Sequence, residues 1–347
     1  MNIDPEYYRK TSEGIWKGRN DGTDADVQRW HQRIIPIDLA VSNLPLLENE
    51  QKGIAIIGFC CDEGVIRNGG RPGAKSAPLE FRKASGTLPV HFDESTSFVD
   101  LGDIICENGD MENAQSTLAD LVKNTLQSGY QPLVIGGGHE IVCGHYNGIS
   151  SYLASSASIG IINFDAHFDL RDYNKNQNNL DITNSSSGIN NTNSGTGFLQ
   201  IADDCRMAHQ KFRYLPIGIQ YNSNTKRLFD RAAELDVKYI TTEQFSSLNH
   251  KQVTATIRQF IKEASAIYLT IDMDVFSSSI APGVSATAWN GIFADSFFFH
   301  CLKIIIDSGK LISTDIAEFN PVYDTEQRTA KLAAALAFKI ISRRSAI

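Results

Sequence analysis

The chain has 347 residues, of which 42% are hydrophobic and 21% are charged, and its formal net charge is −8 at pH 7. This is the composition of a globular protein, and the length suits one large α/β domain or two ordinary ones. The acidic balance, together with the absence of any basic block, excludes nucleic acid as an expected partner.

The sequence shows no run of about 18 apolar residues and no charged segment leading into an apolar one at its start, so we expect no membrane partner. Its six cysteines form no C-x-x-C pair and no small-domain framework. Cysteines without such a pattern are typical of proteins in a reducing compartment, and together with the missing apolar segments they predict a cytoplasmic protein.

In chain order, residues 1–50 are polar and mixed, and we interpret them as an N-terminal arm. From residue 51 to residue 347, short apolar runs alternate with amphipathic stretches of helical length, which predicts a single α/β domain. Its sheet should be mostly parallel and covered by helices on both faces. The predicted strands are Ile54–Phe59, Phe98–Leu101, Pro132–Gly136, Ile159–Asp165, Tyr214–Ile219, Val237–Ile240, Ile267–Asp272 and Leu311–Ala317. The predicted helices lie near 76–86, 112–129, 141–157, 224–236, 250–264, 294–309 and 325–343.

One segment interrupts this alternation. Residues 174–197 are dominated by Asn, Ser, Gly and Thr, a composition typical of a surface insertion rather than of a packed element. We predict an Asn/Ser-rich insertion near 174–193. The residues that follow it, Asn193 to Gly197, are instead a candidate substrate loop.

Potential metal ligands follow three of the predicted strands. His139 comes after three glycines, and two Asp-containing clusters come directly after buried strands. Since the carboxyl ends of parallel strands share one edge of a sheet, we expect these side chains to meet there. Residues spaced by two on an extended strand end project to the same side. The candidate ligands are His139, Asp165, His167, Asp169, Asp272 and Asp274.

Four carboxylates in one site would repel one another strongly, at roughly 4 kcal/mol for each pair about 4 Å apart at an effective dielectric of 20. Two divalent cations would neutralise that charge, which predicts a binuclear centre that activates water. Capping of the following helices is the alternative for any single residue. A ligand set rich in carboxylates suits Mn²⁺ better than Zn²⁺, although cobalt, nickel or iron could replace it.

The clusters Gly-Gly-Gly-His, Asp-Ala-His-x-Asp and Ile-Asp-x-Asp resemble the three signatures of the arginase/agmatinase/formimidoylglutamase (ureohydrolase) family. The resemblance spans roughly residues 54–340. It implies a three-layer α/β/α catalytic domain around an eight-stranded, mostly parallel sheet, two Mn²⁺ per subunit and a homo-oligomer. It also implies that Asp165 and Asp272 bridge the ions, that His139 and Asp169 bind one ion, and that His167 and Asp274 bind the other.

Further segments resemble the formimidoylglutamase branch of the family, among them Asp62–Val65, Gly70–Ala74 and Glu318–Pro321. That resemblance implies hydrolysis of a linear amidine, N-formimidoyl-L-glutamate, to L-glutamate and formamide in histidine degradation. Another ureohydrolase acting on arginine, agmatine or a guanidino acid is the alternative, and a non-catalytic relative is a third possibility. Arginases carry a histidine soon after Asp-Ala-His-x-Asp, whereas residues 168–208 contain none.

Such a substrate needs cationic or hydroxyl partners at its two carboxylates and a carboxylate at its formimidoyl end. Arg171, two residues past a ligand, is positioned to bind a carboxylate through paired hydrogen bonds. Asp169 and Glu318 are the predicted catalytic residues. The predicted substrate contacts are Arg171, Arg71, Arg67, Ser194, Thr196 and Glu318. After Ser-Gly-Thr, Gly197 and Leu199 depart from the family pattern of Pro and Arg.

Overall fold

A computed structural model describes residues 3–48, 51–153, 157–173, 192–246 and 250–344. Its strands are β1 Tyr8–Arg9, β2 Ile35–Pro36, β3 Gly53–Cys60, β4 Ser97–Ile105, β5 Gln131–Ile135, β6 Ile159–Phe164, β7 Tyr214–Ile219, β8 Ile240–Thr241, β9 Ala266–Asp272 and β10 Leu311–Ala317. Its helices are α1 Trp30–Arg33, α2 Glu63–Arg67, α3 Ala77–Ser85, α4 Met111–Gln127, α5 Ile141–Tyr152, α6 Gly197–Met207, α7 Lys226–Glu234, α8 Thr242–Ser246, α9 His250–Glu263, α10 Ser296–Ile306 and α11 Arg328–Arg344.

The strands form one sheet in the order β1-β4-β3-β5-β10-β9-β6-β7-β8, with β2 also pairing with β4. Within the described strands, β1 alone runs antiparallel to its neighbour, and the other pairings are parallel. The predicted parallel fold is confirmed. The count of eight strands was wrong: the described residues form ten, because β1 and β2 come from the segment predicted to be an arm. Seven of the eight predicted strands are present, and the eighth, Val237–Ile240, overlaps a strand only at Ile240.

The sheet separates two cores, and strand β3 shows how the sequence produces them. Successive side chains of a strand point to opposite faces, so Ile54 and Ile56 join one buried cluster while Ala55, Ile57 and Phe59 join the other. Helices α3, α9, α10 and α11 cover the first face, and helices α4 to α7 cover the second. The three-layer α/β/α architecture is therefore confirmed.

Some predicted boundaries differ from the structure. The strand expected over Val237–Ile240 is the two-residue strand β8, Ile240–Thr241, and helix α6, Gly197–Met207, was not predicted. Residues 174–191 of the predicted insertion lie outside the described residues. Among the helices that are described, none has both the length and the apolar character needed to cross a bilayer.

The described part of the segment 1–50 packs on the edge of the same sheet. Tyr8 pairs with Ile104 of β4, and the rings of Trp16 and Trp30 are buried in the first core. The indole N–H of Trp16 donates to Asp100 Oδ2 at 2.7 Å. The arm is thus held to β4 by backbone pairing, apolar burial and a buried hydrogen bond.

Asp100 belongs to a buried ionic cluster beneath that edge. The guanidinium of Arg82 on α3 donates to both oxygens of Asp100, at 2.8 and 2.9 Å, and to Asp103 Oδ1 at 2.6 Å. Only 2% of the Arg82 side chain is exposed, and none of the Asp100 side chain is. The two carboxylates therefore depend on one buried cation for their compensation.

We expect the substitution Arg82→Met to destabilise the fold by about 3–5 kcal/mol, because it leaves two carboxylates without their buried cation. The measurement is the free energy of unfolding in urea. Lys83→Met on the same helix is the matched control, since Lys83 is exposed and its ion pair among the described residues is with Glu80 at the surface. It should change stability by less than about 0.5 kcal/mol. Equal effects in the two variants would contradict the interpretation.

Candidate metal centre

The four central strands of the sheet carry the candidate site at their carboxyl ends. Strands β5, β10, β9 and β6 are consecutive neighbours, and a polar segment follows each of them. His139 follows β5, Asp165 follows β6, and Glu318 follows β10. Asp272 ends β9 and Asp274 lies two residues beyond it. The parallel sheet thus brings segments far apart in sequence to one edge.

Two glycines turn the chain sharply between β5 and His139. Gly136 and Gly137 have φ values of 104° and 74°, in the left-handed region that favours glycine. A Cβ atom on Gly136 would lie 2.6 Å from Pro78, and one on Gly137 would lie 2.6 Å from Phe59. The turn therefore needs both glycines for its conformation and for space, and it directs His139 into the cluster.

His139 Nδ1 faces three carboxylates. It lies 2.9 Å from Asp169 Oδ2, 3.0 Å from Asp165 Oδ2 and 3.2 Å from Asp272 Oδ2. The imidazole is 1% exposed and packs edge-on against the ring of Phe198. Such an arrangement of oxygens around one nitrogen lone pair could hold a cation.

A second group lies beside the first. His167 Nδ1 is 3.1 Å from Asp274 Oδ2 and 3.5 Å from Asp165 Oδ1. Ligand atoms of His139, Asp165 and Asp169 lie within 4.8 Å of one another, and so do those of Asp165, His167 and Asp274. Asp165 is common to both groups and presents one oxygen to each. All six predicted ligands are therefore brought together, with Asp272 contacting the first group through His139.

The electrostatics reflect this crowding. Burial alone would lower the pKa of His139, but hydrogen bonds to Asp165 and Asp169 outweigh it and raise that pKa well above its usual value. Burial, followed by repulsion from Asp274 and Asp165, raises the pKa of Asp272 well above its usual range. Without cations, the cluster could relieve its charge only by taking up protons.

Two buried carboxylate oxygens of residues that line the site have no partner in the described part of the chain: Asp274 Oδ1 and Glu318 Oε2. Buried polar atoms are normally satisfied, and an unsatisfied one points to a missing water, ion or ligand. The donor set of four carboxylates and two imidazoles is also one that divalent ions accept. The residues present therefore fit two divalent cations.

Glu318 directly follows β10, the last strand of the described residues, and lines the site. Its Oε1 accepts from the backbone N–H of His139 at 2.8 Å. Burial, with added repulsion from Asp274, raises the pKa of Glu318 to about 7. Asp169 and Glu318 have φ values of 48° and 60°, which are uncommon for residues with a side chain and concentrate at functional sites.

A cavity of about 210 Å³ opens onto the cluster. Arg171 and Ser194, both predicted substrate contacts, line it together with Glu318. Arg171 is exposed, and its side chain lies against Gly195, where a Cβ would come within 2.7 Å of Arg171 Cδ. The cavity is lined by Val65, Asn68, Gly69, Gly70, His167, Asp169, Arg171, Ser194, Ser223, Asn224, Leu228, Asp272, Asp274, Ser285, Ala286 and Glu318.

The other predicted substrate residues are not among those lining the cavity. Arg67 donates to Glu63 at 3.0 Å and to Glu112 at 2.6 Å.

Arg71 donates to the carbonyls of Val284 and Ser285 and lies over the ring of Tyr323. Thr196 Oγ1 is buried and bonds to the backbone of Asn193. These contacts give Arg71, Thr196 and Arg67 partners within the described chain, and a substrate contact by any of them stays a prediction.

Sequence reasoning missed the residues that hold the ligands in place. Asn224 accepts from the backbone N–H of Phe168 and donates to the carbonyl of Ala166, and so fixes the loop of Asp165 to Asp169. Asn163 donates to Asp165 Oδ2 at 2.9 Å. Asn224 lies in a loop with no motif, but Asn163 is a polar residue inside an apolar strand, which was an available signal.

Comparison with known proteins agrees with this geometry. The model of the arginase family matches residues 52–342. The formimidoylglutamase of Aliivibrio fischeri is 41% identical over 344 residues, covering 94% of this chain and 93% of the relative. That of Clostridium tetani is 38% identical, covering 96% and 95%.

Solved structures give the same result. A variant of Trypanosoma cruzi formiminoglutamase with Mn²⁺ has a TM-score of 0.71 and 25% identity, covering 86% of this chain and 95% of the other. The formimidoylglutamase of Bacillus subtilis has a TM-score of 0.73, with 96% of each chain covered, and at 21% identity supports the fold. With a family model matched over most of its length, this chain belongs to the arginase family of binuclear metal hydrolases.

Proposed function

We propose that this protein hydrolyses N-formimidoyl-L-glutamate to L-glutamate and formamide with two Mn²⁺ ions per subunit. The observation that carries the proposal is one cavity lined by the acidic cluster, by Glu318 with its unpartnered Oε2, and by Arg171. The substrate has the opposite polarity, with an amidine at one end and carboxylates at the other. The names of the relatives from A. fischeri and C. tetani support the same substrate.

The proposed ligand roles follow the two groups of the cluster. His139 and Asp169 bind one ion, and His167 and Asp274 bind the other. Asp165 would help to hold both ions, which is supported by its two oxygens facing the two imidazoles at 3.0 and 3.5 Å. Asp272 is proposed as the second bridge. Manganese is supported by the predominance of carboxylate oxygens and by the Mn²⁺ of the T. cruzi relative.

In the proposed mechanism, the bound ions supply a water-derived nucleophile at neutral pH. Water adds to the formimidoyl carbon while Glu318 accepts hydrogen bonds from the nitrogen end of that group and orients it. The bond between this carbon and the glutamate nitrogen then breaks. Asp169 carries the proton that the departing amine needs. Arg171, with Ser194 beside it, holds a substrate carboxylate at the other end of the cavity.

The remaining proposals concern context. All six cysteines are free, which supports a reducing, cytoplasmic location. We propose a homo-oligomer on the basis of the family resemblance. We also propose that residues 51–347 form the single catalytic domain and that residues 1–50 are an N-terminal arm, whose described part packs against it.

A substrate panel tests the function directly. With added Mn²⁺, we expect N-formimidoyl-L-glutamate to give L-glutamate and formamide in equal amounts, measured by coupled glutamate detection. Agmatine should give no urea, because Arg171 repels its cationic tail; arginine and guanidinobutyrate each carry a carboxylate, so their urea release is measured as the test of the alternative ureohydrolase activity. Urea release from a guanidino compound would show that this compound, and not N-formimidoyl-L-glutamate, is the substrate. If the metal-loaded protein turned over none of these compounds, the catalytic proposal would be overturned.

The role of Arg171 in substrate binding can be tested by measuring KM and kcat separately. We expect Arg171→Ala to raise KM about 10- to 100-fold with a smaller change in kcat, because hydrogen bonds to a charged group contribute about 1.5–3 kcal/mol. Arg171→Lys should recover part of that loss. The control is Arg206→Ala, since Arg206 is an exposed arginine whose ion pair in the described chain is with Asp203. An unchanged KM in Arg171→Ala would remove this residue from the substrate site.

Metal stoichiometry tests the ligand roles. Asp165 belongs to both groups and Asp274 to one, so we expect Asp165→Asn to lose both ions. Asp274→Ala should weaken the ion at His167 most and abolish turnover. Metal content after dialysis against a Mn²⁺ series measures both effects. Full activity of Asp274→Ala, or two tightly bound ions in Asp165→Asn, would refute the assignment.

A further inference from the structure

A chain of polar side chains runs from the metal centre into the core. The far ring nitrogen of His139, Nε2, lies 2.9 Å from Thr270 Oγ1 on β9. Thr270 Oγ1 in turn donates to Asp315 Oδ1 on β10 at 2.6 Å. Thr270 and Asp315 are completely buried. Their link to the centre within the described residues is through His139, and the proposed mechanism does not use them.

Asp315 receives two further donors on its other oxygen. The hydroxyl of Tyr268 donates to Asp315 Oδ2, and His145 Nδ1 lies 2.7 Å from the same atom. His145 Nε2 is held by Ser313 Oγ at 2.6 Å. All of these side chains are fully buried. A buried carboxylate with donors on both oxygens is held rigidly and acts only as an acceptor.

The direction of the hydrogen bonds along this chain follows from proton counting. A threonine hydroxyl has one hydrogen, and Thr270 donates it to Asp315. Its oxygen must therefore accept from His139, which requires a hydrogen on Nε2. The lone pair of a neutral imidazole is then on Nδ1, the atom that faces Asp165, Asp169 and Asp272 within 3.2 Å.

We infer that Asp315, acting through Thr270, is a positioning residue that holds the His139 ring with Nε2 protonated and with Nδ1 open to a metal ion. Groups that hydrogen-bond the far nitrogen of a ligating histidine usually contribute about 10- to 100-fold in metal affinity. The inference rests on the proposed ligation by His139. It adds that two residues outside the ligand set determine which nitrogen can bind.

The other imidazole of the centre provides an internal reference. His167 is 26% exposed, and within the described residues no hydrogen bond or ion pair links it to Thr270 or Asp315. Breaking the hydrogen bonds of Thr270 and Asp315 should therefore lower the affinity for the ion at His139 and leave the affinity for the ion at His167 unchanged. A general loss of structure would weaken both ions together.

The sharpest variant is Asp315→Asn, which keeps the shape of the side chain. Its amide oxygen would turn toward the two donors, Tyr268 and His145, and its NH₂ group would face Thr270. The Thr270 hydroxyl would then accept from the amide and donate to His139 Nε2. That reversal moves the imidazole hydrogen onto Nδ1, where it competes with the cation.

The experiment is equilibrium dialysis of the full-length, metal-stripped protein against a Mn²⁺ series, with bound metal measured by mass spectrometry. We expect two ions in the wild type, and in Asp315→Asn one ion of unchanged affinity and one weakened about 10- to 100-fold. Two ions of wild-type affinity in Asp315→Asn would overturn the inference. A wild type that binds no Mn²⁺ would instead overturn the proposed metal centre.

Three variants separate positioning from stability. Tyr268→Phe removes a donor from Asp315 without reversing the link to His139, and it should keep two ions even if it melts at a lower temperature. Thr270→Ser keeps the hydroxyl and should behave like the wild type. Thr270→Val removes it and should repeat the Asp315→Asn result, which also covers the case in which Asp315→Asn does not fold. Equal metal loss in Tyr268→Phe and Thr270→Val would overturn the inference.

Discussion

The fold of this protein depends on one electrostatic constraint: carboxylates gathered at the ends of parallel strands are tolerable only beside positive charge. Asp165, Asp272 and Asp274 are buried at the edge of the central sheet, and the pKa of Asp272 is raised well above its usual range by burial and by its acidic neighbours. Like charges this close disfavour folding unless cations or protons compensate them. Cations balance these charges and leave the carboxylates deprotonated, so that they remain able to act as ligands.

Much of the molecule follows from its sequence because its central strands are simple. A parallel strand buried on both faces is a continuous apolar run, and seven of the eight predicted strands, from Ile54–Phe59 to Leu311–Ala317, are strands in the structure, whereas Val237–Ile240 overlaps β8 only at Ile240. The ligand clusters could be grouped because a sheet of this kind has one functional edge. Neither conclusion needed knowledge of how the helices pack.

The failures have equally physical reasons. Strands β1 and β2 have two residues each, too few for a periodic pattern, and exist because β4 offers them partners. Arg67 and Arg71, predicted to contact the substrate, have internal acceptors that no sequence pattern reveals, and their contact with the substrate stays a prediction. Thr270 and Asp315 were visible as polar residues inside apolar strands. Their connection to His139 required three-dimensional distances.

The position of β10 between β5 and β9 has a consequence for biosynthesis. Strand β10, Leu311–Ala317, is the last strand of the described chain, yet it pairs with two strands in the middle of the sheet. A nascent chain that has not yet released it from the ribosome has two separated half-sheets with open edges and lacks Glu318. His139 follows β5 and its carboxylate partners follow β6 and β9, so the ion group that includes His139 cannot assemble before β10 is in place, and ribosome stalling before residue 311 would leave an intermediate prone to edge-to-edge association.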